Sequence, residues 1–482
     1  MNNPIFVDCQ RGGRKLLYGG FGYTKLRTSS DGERLTWRCV KRDSCHVTLT
    51  TNRNGTVVTR EPNEHHHAAD WEDCKAEQIK HRIKRSALEQ PNQPPSALLS
   101  NELRDTSSAT MLKLSGKESL KKMVRREQHR HLPAAPKSVQ DIIALPDIYR
   151  TLDGRNWLIY DNGPEQIESR MLVFASDDGL QLLKTARYWI SDGTFKVVPS
   201  LFAQLYTIHA PERGKCFPCI YAIMANRTRD SYVELLQNIK RICRERYGEE
   251  PAPAYVSTDF KSPAIDAYKE VLPDAQHLGC FFHFSQILWR KLQAIGLQAV
   301  YRSEEEEALR EHFRSLIALS FLHCDHIEDT FDRLCEVIDD RLTPICDHLE
   351  DNYIRGRPRR GRRQARPPSF PKPIWNCHER VLAGLPRTTN SVEAWHSRLN
   401  TIIGKAHVSF YAFIEKLQAE ERVMIQERDQ LRNGRSPPRK KKKYITIDSR
   451  ITSLINDYDT YVANNDLLTF LRRVGHVCIG HF

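Results

Sequence analysis

From residue 155 onward the chain settles into a rhythm that few folds can satisfy. Five short runs rich in aromatic and β-branched residues, WLIYD, MLVFAS, RYWISDGTF, FAQLYTIHA and CFPCIYAIMA, read as strands. The last two flank Pro211-Glu212-Arg213-Gly214-Lys215, a hairpin loop. An amphipathic helix over 231–247 follows, with Tyr232, Leu235, Leu236, Ile239 and Ile242 on one face. Strand AYVSTD, helix PAIDAYKEVL, strand AQHLGCFFH and a helix from 284 complete the series. Strands in succession and then alternating helix and strand imply an α/β fold, a mixed sheet flanked by helices.

Three acids stand at the ends of such elements: Asp192 in RYWISDGTFK, Asp259 in AYVSTDF and Glu393 in RTTNSVEAWHSRLN. Alternate side chains of a strand share a face, so Asp192 aligns with Ile190 and Tyr188, and Asp259 with Ser257 and Tyr255. Where parallel strands end, ligand sites gather. Aspartates meeting there repel unless a cation lies between them. Each acid also has an ordinary reading. Asp192-Gly193 is a turn dipeptide, Asp259 can begin the turn toward Pro263, and Asn390-x-x-Glu393 fits a capping box.

Residues 1–70 are a separate small module of short strands with turns at Gly12-Gly13, Gly19-Gly20, Asp31-Gly32 and Asn54-Gly55. It is too small to bury a large core. Cys39, Cys45, His65 and His67, spaced C-x5-C-x19-H-x-H, supply four ligands for one tetrahedral zinc that would close it. The competing reading is a solvated His65-His66-His67 run beside two ordinary thiols.

The chain of 482 residues carries a net charge of +13, which favours a polyanionic partner such as nucleic acid. Its 13 cysteines form no dense even framework, which points to a reducing compartment. No apolar run approaches the roughly 20 residues needed to cross a bilayer, so no membrane partner is expected. Residues 71–150 read as a basic linker with helices around 76–88 and 116–131, the second stopped by Pro133 and Pro136. Arg355, Arg357, Arg359, Arg360, Arg362, Arg363 and Arg366 crowd a Gly- and Pro-containing stretch that reads as a flexible loop following DNA phosphates. Arg439, Lys440, Lys441, Lys442 and Lys443 form a basic run that serves either as a nuclear import signal or as a phosphate-binding linker. In residues 447–482, a short helical pattern and Cys478 with His476 and His481 receive no role.

Two family resemblances join these pieces. Phe6, Leu17, Tyr23, Trp37, Cys39, Cys45, His65 and His67 lie in the order that names the FLYWCH zinc finger, with Tyr18 and Phe21 as rivals for the central aromatic slot. That resemblance implies a structural zinc and a role in binding DNA or protein. The segments DGTFK, STDF, GCFFHFSQILWRKLQ, TTNSVEAWHSRLN and KAHVSFYAFIEKLQAEE resemble the transposase domain of Mutator-like elements over roughly 187–420. This second resemblance implies a ribonuclease H-like catalytic core over 151–430 with a helical insertion at about 300–385, followed by a basic linker and tail over 431–482. It also implies that Asp192, Asp259 and Glu393 are a DDE triad binding two magnesium or manganese ions. Cys280-x2-His283 fits the family's C-x2-H element beside the active site. The pair either recruits distant ligands such as His323, Cys324 or His326, or packs and contacts DNA without metal. His396, one turn past Glu393, touches DNA or lies on the helix surface.

The expected activity is metal-dependent cleavage of transposon-end DNA and strand transfer into target DNA, in the nucleus, by a homo-oligomer that pairs two ends. Two rivals from other classes remain: a domesticated transposase acting as a DNA-binding regulator, and a zinc-finger adaptor for protein partners.

Overall fold

Gly19 and Gly20, both at positive φ, form the turn expected there and separate β2 (Arg14–Tyr18) from β3 (Phe21–Thr28). With β1 (Ile5–Asp8), β4 (Arg34–Cys39), β5 (Thr48–Asn52) and β6 (Val58–Arg60) they form a six-stranded antiparallel meander in sequence order. Its core is Leu16, Tyr23, Trp37, Cys39, Cys45, Val47 and Leu49. Leu17, taken for the family leucine, points to the opposite face and packs with Val7 and Cys74.

The computed structural model describes residues 3–8, 13–90, 93–128, 130, 134–358, 364–404, 408–437, 439 and 441–478. Contacts divide it into two units, 1–134 and 135–482. The expected boundary at 70/71 therefore falls inside the first unit. Asp70 caps α1 (Trp71–Glu89) by accepting from the Asp73 amide at 2.9 Å, a cap worth about 1 kcal/mol. Cys74 of that helix packs against the meander. Helices α2 (Pro95–Glu102), α3 (Ser108–Lys113) and α4 (Lys117–Gln128) complete the unit. Ile79, Ile83, Leu98, Leu99, Leu120 and Val124 bury one another there, so the expected linker is a small helical bundle. Lys80, Arg82 and Arg85 on its surface pair with Glu77, Glu102 and Glu89. The expected stop at Pro133 lies outside the described residues.

The second unit opens with α5 (Asp147–Arg150) and a two-strand ribbon, β7 (Thr151–Leu152) and β8 (Arg155–Asn156). Its seven-stranded sheet comprises β9 (Leu158–Asp161), β10 (Met171–Phe174), β11 (Tyr188–Thr194), β12 (Gln204–Glu212), β13 (Lys215–Met224), β14 (Tyr255–Thr258) and β15 (Gln276–Gly279). The spatial order is β15-β14-β11-β12-β13-β10-β9. β11, β14 and β15 run parallel, whereas the pairs from β11 through β12, β13 and β10 to β9 are antiparallel.

Helices α6 (Asp177–Thr185), α7 (Arg229–Tyr247) and α8 (Ser262–Val271) connect these strands, and α9 (Phe281–Ala294) leads out of β15. The AQHLGCFFH run is divided: its strand stops at Gly279, Cys280 caps α9, and the aromatic pair opens the helix. Residues 298–382 then carry α10 (Gln298–Arg302), α11 (Glu307–Ala318), α12 (Ile327–Val337), α13 (Thr343–Leu349), α14 (Lys372–Trp375) and α15 (His378–Leu382). The chain returns to the sheet through α16 (Asn390–Ile403) and α17 (Phe410–Arg432).

The tail is not a frayed end. Among its helices α18 (Lys442–Asn456), α19 (Tyr458–Ala463) and α20 (Leu467–Cys478), the side chains of Ile451, Ile455, Phe470, Leu471 and Val474 share one core with Phe313, Leu316 and Leu319. Burying apolar side chains of that size is worth roughly 1.5–3 kcal/mol each, enough to hold the segment down. No helix among the described residues is long and apolar enough to cross a membrane.

Candidate metal centre and carboxylate pocket

In the first unit β4 delivers Cys39, the loop after it delivers Cys45, and the segment after β6 delivers His65 and His67. Their ligand atoms all lie within 4.8 Å of one another. Cys39 Sγ is 3.3 Å from His67 Nε2, and Cys45 Sγ is 3.3 Å from His65 Nδ1. A tetrahedral zinc with bonds of ~2.3 Å to sulfur and ~2.0 Å to nitrogen puts such atoms roughly 3.5 Å apart, so this donor set fits the ion.

The remaining ring nitrogens are also held. His65 Nε2 meets the Tyr23 hydroxyl at 2.7 Å, and His67 Nδ1 meets the Ala68 carbonyl at 3.1 Å. The Ala68 carbonyl can only accept, so His67 carries its proton on Nδ1 and leaves Nε2 free for metal, and a Tyr23 hydroxyl accepting from His65 Nε2 leaves Nδ1 free in the same way. Burial, then the neighbouring His67 and His66, hold His65 below the ordinary histidine range, so it stays neutral as a ligand must. Tyr23 is buried and takes the central aromatic slot. Phe21 stacks on the His65 ring at 3.7 Å, and Tyr18 instead donates to Glu61.

In the second unit sheet register and the packing of α16 bring the acids toward one end of the sheet. β11 and β14 are paired with a constant offset of 67 residues, Tyr188 opposite Tyr255 and Ile190 opposite Ser257. Carried one residue past the end of β14, that offset places Asp259 level with Asp192 at the same end of the sheet. Tyr188 and Ile190, on the same face as Asp192, pack against Val392 of α16, which brings the next residue, Glu393, to the same end of the sheet. Trp395 anchors α16 by donating to Glu420 of α17 at 2.9 Å, and Arg398 pairs with the same carboxylate.

His283, in the first turn of α9, is the hub. Its Nε2 is 3.7 Å from Glu393 Oε1. Burial works against its protonation, but the Cys280 thiol, followed by Asp192 and Asp259, outweighs that and lifts it to about 9. Cys280 is its counterpart: burial opposes a thiolate, yet His283 and two donors from Thr389, the amide and the hydroxyl, each 3.2 Å from Sγ, draw it below the usual thiol range. Cys280, His283 and Glu393 also offer ligand atoms within 4.8 Å of one another. The His326 ring meets the Tyr458 hydroxyl and the His323 ring faces Asp325 and Glu379, so neither joins the group of Cys280 and His283. Burial chiefly, and Asp192 as well, raise the Glu393 carboxyl against the opposing pull of His283.

Each acid has a further partner. The Asp192 carboxylate accepts from the Gly193 amide at 2.8 Å, and its Oδ2 faces His396 Nδ1 at 3.3 Å. Burial pushes the Asp192 carboxyl upward, but His396, with His283, wins and holds it below the ordinary range. His396 is therefore not on the helix surface; it is buried behind Asp192. Asp259 pairs with Lys261 at 2.7 Å. Asn390 is not the cap expected of a capping box: Thr389 precedes the helix, and its hydroxyl lies 3.4 Å from Glu393 Oε1. Lys261 and Thr389 escaped the sequence reading, although each lies within a few residues of an acid in a quoted segment.

The arginine-rich stretch is partly spoken for. Arg355 pairs with Asp332, Glu350 and Glu328, and Arg357 with Asp351 at 2.7 Å. Arg357 and Arg366 bridge to each other across the stretch, and the Arg366 guanidinium reaches Ser369. Arg355 and Arg357 are thus tied to carboxylates and not freely available to phosphates. Arg359, Arg360, Arg362 and Arg363 lie outside the described residues, as do Lys440 and His481.

A module whose four convergent ligands fit structural zinc is thus followed by an α/β unit with three acids toward one end of its sheet. Comparison with protein families places both. Residues 6–67 match the FLYWCH zinc finger domain and residues 188–287 match the MULE transposase domain, so the chain joins a finger of the first family to a domain of the second. Asp192, Asp259, Cys280 and His283 lie inside the second match and Glu393 lies beyond it. No curated protein matches the chain.

Proposed function

We propose that the chain is a DNA transposase whose second unit has a ribonuclease H-like core, and that Asp192, Asp259 and Glu393 are its DDE triad. The observation that carries this reading is that His283, inside the MULE-matched stretch, faces Glu393 at 3.7 Å and has its protonated form favoured by Asp192 and Asp259. The strand order supports the fold assignment: within the run β15-β14-β11-β12-β13, three consecutive antiparallel strands begin at the middle strand, β11, and two parallel strands lie on its other side.

The donor set suits a hard divalent cation, since all three acids offer carboxylate oxygen and Glu393 is held above its ordinary range by burial and by Asp192. Bound there, magnesium or manganese would activate the attacking water or 3′-hydroxyl and stabilise the leaving oxygen. The protein's own groups fix the ligands. His396 and the Gly193 amide orient Asp192, Lys261 restrains Asp259, and Thr389 with His283 brackets Glu393. No side chain need act as nucleophile. The zinc finger and the net charge of +13 supply DNA affinity.

The test is magnesium-dependent cleavage of the element's own terminal DNA, with Asp192→Asn, Asp259→Asn and Glu393→Gln assayed in turn. Each variant is expected to lose cleavage and keep DNA binding. Wild-type rates in any of them would refute the triad, and binding without cleavage by the parent chain would favour the domesticated regulator. The same reading makes the protein nuclear, with the basic run 439–443 as its import signal. An unchanged nuclear signal after its removal from a fluorescent fusion would refute that part.

A further inference from the structure

The tail helices carry a charged surface that the carboxylate pocket does not use. Lys443 and Arg450 of α18, and Arg472, Arg473 and His476 of α20, line two adjoining cavities of about 490 and 510 Å³, with Arg314 of α11 at one side. The cavities share Arg450, His476 and Val477, so they form one groove. No carboxylate of the described residues lines either cavity. Its floor is apolar, made by Ile447, Leu454 and Val477 packed on the core beneath.

Several of these cations are braced in place. Arg473 donates to the Tyr461 hydroxyl at 2.7 Å and lies over that ring, Arg314 donates to Tyr301 at 3.2 Å, and Arg472 pairs with Glu311 at 2.7 Å. Lys443 and Arg450 have no carboxylate partner among the described residues. A one-signed groove over a low-dielectric floor concentrates its field outward, which suits a polyanion. Lys443 and Arg450 stand two helical turns apart, roughly 10 Å, and a DNA strand advances about 3.4 Å along its axis per phosphate. The two cations therefore span about three phosphates.

α18 is also tied to the edge of the carboxylate pocket. Asp448 pairs with Arg387, whose carbonyl accepts from the Phe281 amide at 2.9 Å, one residue from Cys280. We propose that the α18–α20 groove is a phosphate-backbone binding site that grips duplex DNA beside the carboxylate pocket. It rests on the reading above for the identity of the polyanion.

The experiment compares the full chain with a Lys443→Gln, Arg450→Gln, Arg473→Gln variant by fluorescence anisotropy on duplex DNA between 50 and 200 mM salt. All three positions are exposed, so the melting temperature should be unchanged. The log–log salt slope is expected to become shallower by up to about 3, with at least a tenfold loss of affinity at 100 mM salt. The charge-keeping variant Arg450→Lys, Arg473→Lys should retain the wild-type slope. A slope and affinity equal to wild type would overturn the proposal, as would an unchanged slope together with lost capture of an acidic peptide. Salt-independent or absent DNA binding by the wild-type chain would instead defeat the transposase reading itself, so the two failures are distinguishable.

Discussion

His396 Nδ1 stands 3.3 Å from Asp192 Oδ2, while its Nε2 stands 3.1 Å from Thr207 Oγ1, which in turn is 2.9 Å from His209 Nε2. His209, kept neutral by burial, donates to Thr207, the Thr207 hydroxyl lies within reach of both His396 and the Asp192 carbonyl at 3.3 Å, and His396 donates from Nδ1 to the Asp192 carboxylate. With Asp192 as the metal ligand proposed above, a carboxylate held this way is fixed before its cation arrives.

The first prediction concerns that partner. His396→Ala should lower cleavage about 10- to 100-fold, the range for loss of an outer-shell partner, and should raise the half-saturating magnesium concentration. His396→Asn keeps an N–H donor near the Nδ1 position and should recover most of both. Equal losses in the two variants would mean that the ring only fills space.

The zinc finger gives the second. Tyr23→Phe removes the hydroxyl that meets His65 Nε2 and leaves the aromatic core intact. Zinc affinity, measured by competition with a chromogenic chelator, should fall roughly tenfold with little change in the metal-bound fold. Cys39→Ser should do far more, because structural zinc contributes about 10–16 kcal/mol to modules of this kind.

How far the sequence anticipated these features depends on the distance over which each is determined. Strands β11 to β14 are dense in aromatic and β-branched residues, so local pattern sufficed. The 67-residue spacing of Asp192 and Asp259 equals the register offset of their strands. Helix α6 went unseen because SDDGLQLLKT is short and polar at its start, with Ser176 as its cap. The aromatic run CFFH reads equally well as strand, and only its packing on the insertion makes it helix. Packing of α20 on α11, and of His396 on Asp192, joins residues far apart in the chain, for which local periodicity carries no signal.

Gly279 carries a third prediction. A Cβ there would lie 2.5 Å from Phe260 Cζ, and Phe260 is itself packed edge-on against Phe370 at 5.1 Å. Gly279→Ala should therefore cost about 1–3 kcal/mol, the usual penalty for overpacking. Because Phe260 follows Asp259, cleavage should fall further than stability alone explains. A second change, Phe260→Leu, should restore part of the stability by vacating the space the methyl needs.

The fourth prediction is a pH dependence located at His277. This ring is buried on β15, its Nε2 sits 2.8 Å from Thr258 Oγ1, and burial chiefly, with Lys269 and Arg380, lowers it to about 4. An unfolded histidine titrates near 6.5, so between those values the unfolded chain binds the proton and the folded chain does not. Stability from this group is complete above about pH 6.5 and is lost as the pH falls toward 4. At pH 4.5 the loss should be on the order of 2.5 kcal/mol. His277→Gln keeps a hydrogen-bonding group for Thr258 and removes the titration. Denaturant midpoints measured at pH 7.5, 5.5 and 4.5 should fall more steeply for the wild type than for the variant. Parallel curves would assign the acid sensitivity to carboxylates elsewhere and remove His277 from the account.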